Sequence, residues 1–356
     1  NIAIGYQAGD NLETGHSNII IGNSALTTDV DGTTSVIIGH EAGGTLTGTT
    51  DNVFIGYQSG YNLDGTADNL AGVVALGAEA FEGHGDTTSG ASGTVALGRK
   101  ALKVLTTGQY NTAVGNQAMV EHTTGRANTA LGYDAMAQSG GDTTAQDNVF
   151  LGAFAGGGDW AGAGIDANIG IGYTALYGPL NGASNNIAIG FESGHDVTTG
   201  DHNVMVGNGT GDKINTGNNN TAIGHESMGA ATTSSGSAFL GMGSGGTVTT
   251  GNNNIAIGYY AMEGASTTGD NNIAIGTDAG DALTSGADNI LLGRDAGGAI
   301  TTGGNNVIIG KLAGDGFTAN TTMTLIGAEA GTAINSNNAN GTVAVGYQSL
   351  VALTSG

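Results

Sequence analysis

Eight carboxylates stand at equivalent points of this sequence: Glu41, Glu79, Asp134, Glu192, Glu226, Asp278, Asp295 and Glu329 each lie two residues after a glycine that closes an aliphatic run. Stacked at a regular spacing they would form an anionic stripe, and a row of carboxylate oxygens is the chemistry that holds Ca²⁺, here weakly. Gln, Thr and Lys100 interrupt the row, and the calcium-binding nonapeptide of toxin repeats is absent. A solvated acidic face is therefore the favoured reading, and no cofactor is expected. Asp29-Val30-Asp31-Gly32 is only a fragment of a calcium loop. The seven histidines are scattered, with His40 and His225 directly after the same glycine, and none has metal-ligand spacing. Gly241-Met242-Gly243-Ser244-Gly245-Gly246 spells a dinucleotide fingerprint, yet it stands in phase with its surroundings and no helix follows it. Glycan hydrolysis would need two carboxylates set apart in a groove; no pair stands out, so the chain reads as a non-enzyme.

What positions these residues is a repeat. The glycine, taken as position 0, falls at residues 5, 22, 39, 56, 77, 98, 115, 132, 152, 172, 190, 207, 224, 241, 258, 276, 293, 310, 327 and 346. These twenty copies are spaced mostly by 17 residues, with excursions to 21, and a fixed period in this range signals a solenoid. Residues 1–356 show no compositional break, which predicts a single repeat domain whose coils bury too little apolar surface to stand alone and must stack. Both ends fall within the repeat and lack a polar capping unit, so the expectation is a window of a longer fibre or a unit that stacks end to end.

Position −1 is Ile, Leu or Val in every copy, and position −3 is Ile, Val, Thr or Ala. Alternation by two predicts a parallel strand with that face turned into the coil. Position −2 points the other way and is also apolar, for example Phe54, Phe150, Met205, Phe239, Leu291 and Leu325. A strand with two dry faces is covered twice, so these six residues are expected at an interface with further copies of the chain. The sum is an all-β parallel β-solenoid, a β-roll of about twenty coils.

Position −4 is Asn in fourteen copies, among them Asn18, Asn52, Asn111, Asn128, Asn148, Asn186, Asn220, Asn254, Asn272 and Asn306. Equal positions of stacked coils lie about 4.8 Å apart, so these amides are expected to form a hydrogen-bonded ladder. Position +3 is always Ala, Ser or Thr, and +4 is either Gly or one of Leu, Met and Phe, which implies close approach there. The longer intervals predict surface loops carrying Tyr61-Asn62-Leu63-Asp64, Phe81-Glu82-Gly83-His84-Gly85-Asp86 and the stretch around Trp160, with Tyr177 in the interval after it. Tyr61, Trp160 and Tyr177 are the candidate contacts to a host-surface glycan or protein, although a ring folded over its own coil is the commoner fate of a loop aromatic.

The net charge of −23, from 30 acids against 7 bases, disfavours a nucleic-acid or anionic-membrane partner. Without cysteine there is no disulfide framework, and no apolar run is long enough for membrane insertion. Adjacent threonines, as in Thr123-Thr124 and Thr267-Thr268, would point to opposite faces of a strand, which argues against a flat ice-binding array.

The phrase Asn-Ile-Ala-Ile-Gly, as at residues 254–258, and Thr216-Gly217-Asn218-Asn219-Asn220-Thr221-Ala222-Ile223-Gly224 resemble the head repeats of trimeric autotransporter adhesins and the Gly/Asn-rich repeats of bacteriophage tail fibres. The resemblance covers the whole chain, although this coil is longer than the adhesin head repeat. It implies a left-handed β-roll, association of three copies about a common axis, and an extracellular place on a virion or a cell surface. The expected function is a structural fibre or adhesin shaft. The alternatives are a homopolymeric extracellular filament of units stacked end on, and a ligand- or ice-binding solenoid.

Overall fold

A computed structural model describes residues 1–48, 50–63, 70–83, 90–138, 144–160, 164–334 and 339–351 of the 356-residue chain. The chain is an all-β parallel solenoid with a coil of about 17 residues, and no helix occurs among the described residues. It divides into two compact units, Asn1–Ser184 and Asn185–Gly356. The metre of the repeat runs through both, so nothing in the composition marks the division. The loop residues 64 and 84–86 lie outside the described residues.

Each unit holds ten three-residue strands, β1 (Ile2–Ile4) to β10 (Ile169–Ile171) in the first and β11 (Ile187–Ile189) to β20 (Val343–Val345) in the second. Within a unit every strand pairs in parallel with the next, and the register is set by the repeat: Ile187 faces Val204, Ala188 faces Met205 and Ile189 faces Val206. Equal positions thus form columns along the sheet.

The glycine at position 0 is the corner that ends each strand. Gly190 has φ +142, and a Cβ built there would lie 2.1 Å from the carbonyl oxygen of Gly207 in the next coil. No side chain survives such a distance. The turn that follows is itself stacked: the Glu41 N–H donates to the Asn23 carbonyl at 2.9 Å, and the Gln58 N–H to the His40 carbonyl at 3.0 Å. Position +2 is left-handed even when it is not glycine, as at Glu41 (φ 56) and Gln58 (φ 51). The local cost of about 1 kcal/mol for an L-residue in that region is borne because neighbouring coils fix the turn on both sides.

The two faces of the strand are the reverse of the expectation. The middle residue, position −2, is the buried one in every strand except β1. Phe54, Phe150, Met205, Phe239, Leu291 and Leu325 are at most 1% exposed within the single chain, so they are core and not an interface between copies. Positions −3 and −1 point outward and are half-buried or exposed. Strand alternation separates two faces but does not say which is inside. The steric complement decides it. Where −2 is large, +4 is Gly, as in Phe54/Gly60, Phe150/Gly156, Met205/Gly211 and Phe239/Gly245, except in the Ile20/Leu26 coil, where both side chains are buried. Where −2 is Ala, +4 is usually large and buried, as in Ala75/Phe81, Ala113/Met119, Ala222/Met228 and Ala256/Met262. A Cβ on Gly245 would lie 2.5 Å from the Phe239 ring, so that coil has room for one large side chain from this pair.

Candidate functional surfaces

Three columns of side chains run along each unit, and each can do something different. The first is the buried amide column at −4. Asn203 donates from its backbone N–H and its Nδ2 to Asn186 Oδ1, both at 3.0 Å, and from Nδ2 to the Gly217 carbonyl at 2.8 Å. Its own Oδ1 accepts from the N–H and Nδ2 of Asn220, again both at 3.0 Å. Every hydrogen-bonding site of the amide is used, and one side chain ties three coils together. The same geometry joins Asn111, Asn128, Asn148 and Asn168 in the first unit and Asn254, Asn272, Asn289 and Asn306 in the second. Ser237 carries the chain of bonds from Asn220 to Asn254, and Ser35 does so between Asn18 and Asn52. Where it is asparagine, this column is a structural device whose amides are spent on the neighbouring coils; at Thr94, which takes the same position, the buried hydroxyl has no hydrogen-bond partner.

The second column is the outward face. Position −1 is aliphatic in all ten coils of each unit, and it is far from covered: Ile223 is 38% exposed, Leu240 49% and Ile257 36%. Position −3 flanks it with Ile255, Ile273, Ile290 and Val307, all half-buried. Polar residues would be expected on a strand face turned to water. Instead each unit carries a continuous aliphatic column at −1, flanked at −3 by Ile, Val or Ala except at Thr112, Thr129, Thr221 and Thr324.

The third column is the edge formed by positions +2 and +5. The acidic stripe lies here, but amides and lysines partly neutralise it. Gln58 Nε2 donates to Glu41 Oε2 at 2.8 Å, Gln117 Nε2 to Asp134 Oδ1 at 3.1 Å, and Gln348 Nε2 to Glu329 Oε2 at 2.7 Å. Lys103 Nζ lies 2.5 Å from Glu79 Oε2 and 3.0 Å from Glu82 Oε2, and this contact pulls the Glu79 carboxyl below its usual range. In the second unit Glu192, Asp212, Glu226 and Glu263 rim a hollow of about 330 Å³ floored by Gly209, Gly229, Gly243 and Gly246. Burial raises Asp212 and Glu263 above the ordinary carboxylate range; for Glu263 the neighbouring Asp278, Glu226 and Asp281 add to it. Among the described residues no group of three or more His, Asp or Glu side chains converges as metal ligands. The glycine-rich run at 241–246 is a coil turn followed by strand, with no helix N-terminus to receive a phosphate.

Of the three aromatics singled out as surface contacts, Trp160 is fully buried. Its ring lies 5.6 Å from Phe150, so it belongs to the core and not to a binding loop. The extra residues of its coil return the indole over the Phe150 ring, where burial of a large apolar surface outweighs exposure. Tyr61 is half-buried and covers Gly44, where a Cβ would meet the ring at 2.5 Å. Tyr177 is half-buried as well, its carbonyl set against Gly158. Apart from Tyr110, the exposed aromatics lie instead at +1, directly after the corner glycine, among them Tyr57, Tyr133, Tyr173 and Tyr259, each 48–49% exposed. Their shared phase was visible in the repeat and is the signal that loop length obscured.

No protein-family model matches the chain, and no curated protein matches it at a significant level. No helix among the described residues is long and apolar enough to cross a membrane.

Proposed function

We propose that this chain is shaft material of an extracellular fibre or adhesin, and that it associates with further copies of itself through the outward strand face. The aliphatic column at −1 and its flank at −3 carry this reading. Contiguous exposed apolar surface of this kind marks a protein interface, and a strip that repeats in phase with the coil is best matched by the same strip on an identical chain. Copies arranged about an axis parallel to the columns would meet coil for coil, and three copies is the arrangement that the resemblance to autotransporter heads implies. The interface thus uses Ile223, Leu240, Ile257 and their equivalents rather than the −2 residues.

The test is the triple variant Ile223→Asp, Leu240→Asp, Ile257→Asp, examined by light scattering and far-UV circular dichroism. The expected outcome is a fall in mass toward the single chain with the β-signal retained, because three outward charges desolvate on association but not within the coil. An unchanged mass, or a native chain that is already monomeric, would overturn it.

A further inference from the structure

Among the described residues the corner column of the first unit has two places where aromatic rings touch: His40 stacks on Tyr57 at 5.6 Å, and three rings meet further along. Tyr133 and Tyr173 stand at +1 of coils two steps apart, and the coil between them carries Ala153 at +1 and Phe154 at +2. Phe154 is an exception on an edge where the other coils mostly bear carboxylates, amides or small residues. Its ring lies 5.2 Å from Tyr133 and 5.8 Å from Tyr173, edge to face with both, at interplanar angles of 79° and 80°. The result is a ridge of three rings spanning two coil spacings, roughly 10 Å, with both flanking tyrosines about half exposed. At one end of the ridge stands the Asp134 carboxylate, which holds the Tyr133 hydroxyl above its usual pKa and accepts from Gln117 Nε2 at 3.1 Å. The exposed Asn116 stands beside them at +1 of the preceding coil.

We propose that Tyr133, Phe154 and Tyr173 form a docking platform for a neutral glycan, with Asp134, Gln117 and Asn116 meeting its hydroxyls. A pyranose has an apolar C–H face and a polar rim, and this surface offers the complement of each: aromatic faces and edges in a row, then a carboxylate and two amides at its end. Packing between copies of the chain calls for neither that polar end nor an interruption of the acidic edge. The charge of −23 repels sulfated and sialylated chains, which selects a neutral sugar. The ridge is about as long as a disaccharide. The proposal deepens the surface-contact side of the function above and rests on it only in placing the shaft where glycans are met; it does not require the copies to associate.

The experiment uses the full chain on an array of neutral oligosaccharides ending in glucose, galactose, mannose or N-acetylglucosamine, with sialylated and sulfated glycans on the same array. The strongest binder is then titrated calorimetrically against three variants. Phe154→Glu places on the edge the residue that Glu41 and Glu192 already show the coil accepts, and Tyr133→Ala/Tyr173→Ala removes the flanking rings. Each should weaken binding about tenfold or more, with Trp160 emission unchanged. Tyr259→Ala/Tyr260→Ala in the second unit should bind as the native chain does. The proposal is overturned by absence of binding across the neutral set, by equal binding of the ridge variants, or by ridge variants that change the mass in light scattering. Failure of the shaft reading shows separately, as an unchanged mass in the Ile223, Leu240, Ile257 variant.

Discussion

Alternate residues of the same strand answer opposite demands, and the difference lies in how each varies. Along the inward row, size swings from Ala75 to Phe54 and from Ala222 to Phe239, and most swings are answered at +4 of the same coil by Gly or by a large side chain. Along the outward −1 column only Ile, Leu and Val occur, and no other position compensates. Compensated variation is the mark of an enclosed volume held near native packing density. Uniformity without a compensating partner in the chain is what a surface shows when it must mate with something as regular as itself.

The largest effect should come from breaking the inward row. Phe239→Ala removes a buried ring whose space nothing else in its coil can fill, and should cost about 3–5 kcal/mol in denaturant unfolding. The comparison becomes sharper when Gly245→Met is added, because the Ala256/Met262 coil next to it shows that this combination packs. The double variant should regain most of the loss, even though position 245 has φ +59, a conformation that Met262 adopts at φ 54 in the equivalent place. A double variant less stable than the single one would break the idea that −2 and +4 share one volume.

A smaller loss is expected from the amide column. Asn203→Ala leaves the donors of Asn220 and the acceptor of Asn186 buried without their partner, at about 2–3 kcal/mol. Asn203→Ser should lose less, since Ser237 carries the same rung between Asn220 and Asn254. Equal losses for Ala and Ser would mean that side-chain volume, and not the hydrogen bonds, is what the column supplies. On the outward face Ile257→Asp alone should shift unfolding of the dissociated chain by about 1 kcal/mol or less, and its larger effect should appear in association.

These contrasts also explain what the sequence could and could not tell. The period, the corner glycine and the amide column were legible because each depends on one residue type recurring at one phase: only Gly fits beside the next coil's carbonyl, and only Asn makes the full set of four bonds. The direction of the strand face was not legible from hydrophobicity, since both faces are apolar. It was present all the same in the pairing of Phe54 with Gly60 and of Ala75 with Phe81, which periodicity alone does not weigh. For Trp160 both fates stayed open for a related reason, and the commoner one, a ring folded over its own coil, is what the structure has. A long interval predicts a loop, but the core beside Phe150 can accept a large ring from that loop, and loop length carries no information about where the ring goes.

The gentlest probe of the polar edge is pH. Burial, and then the neighbouring Asp278, Asp295 and Asp315, hold the Asp281 carboxyl above its ordinary 3.8; burial and Asp295 do the same for Asp315. Asp212 and Glu263 are raised too, mainly by burial. A carboxyl whose folded pKa exceeds its unfolded value binds its proton more tightly in the native state, so its contribution to stability is complete below the unfolded pKa and is lost as pH rises through the folded one. These four groups therefore oppose folding at neutral pH, and their contribution should raise the melting temperature as pH falls from neutral through their raised folded pKa values. Glu79 works in the other sense, since its lowered pKa gives stability that is lost only at more acidic pH. Asp281→Asn should raise the melting temperature at pH 7 and flatten its dependence on pH below that. A native melting temperature that falls steadily over the same range would mean that the carboxylates of the edge gain more from their amide and lysine partners than burial and mutual repulsion take away.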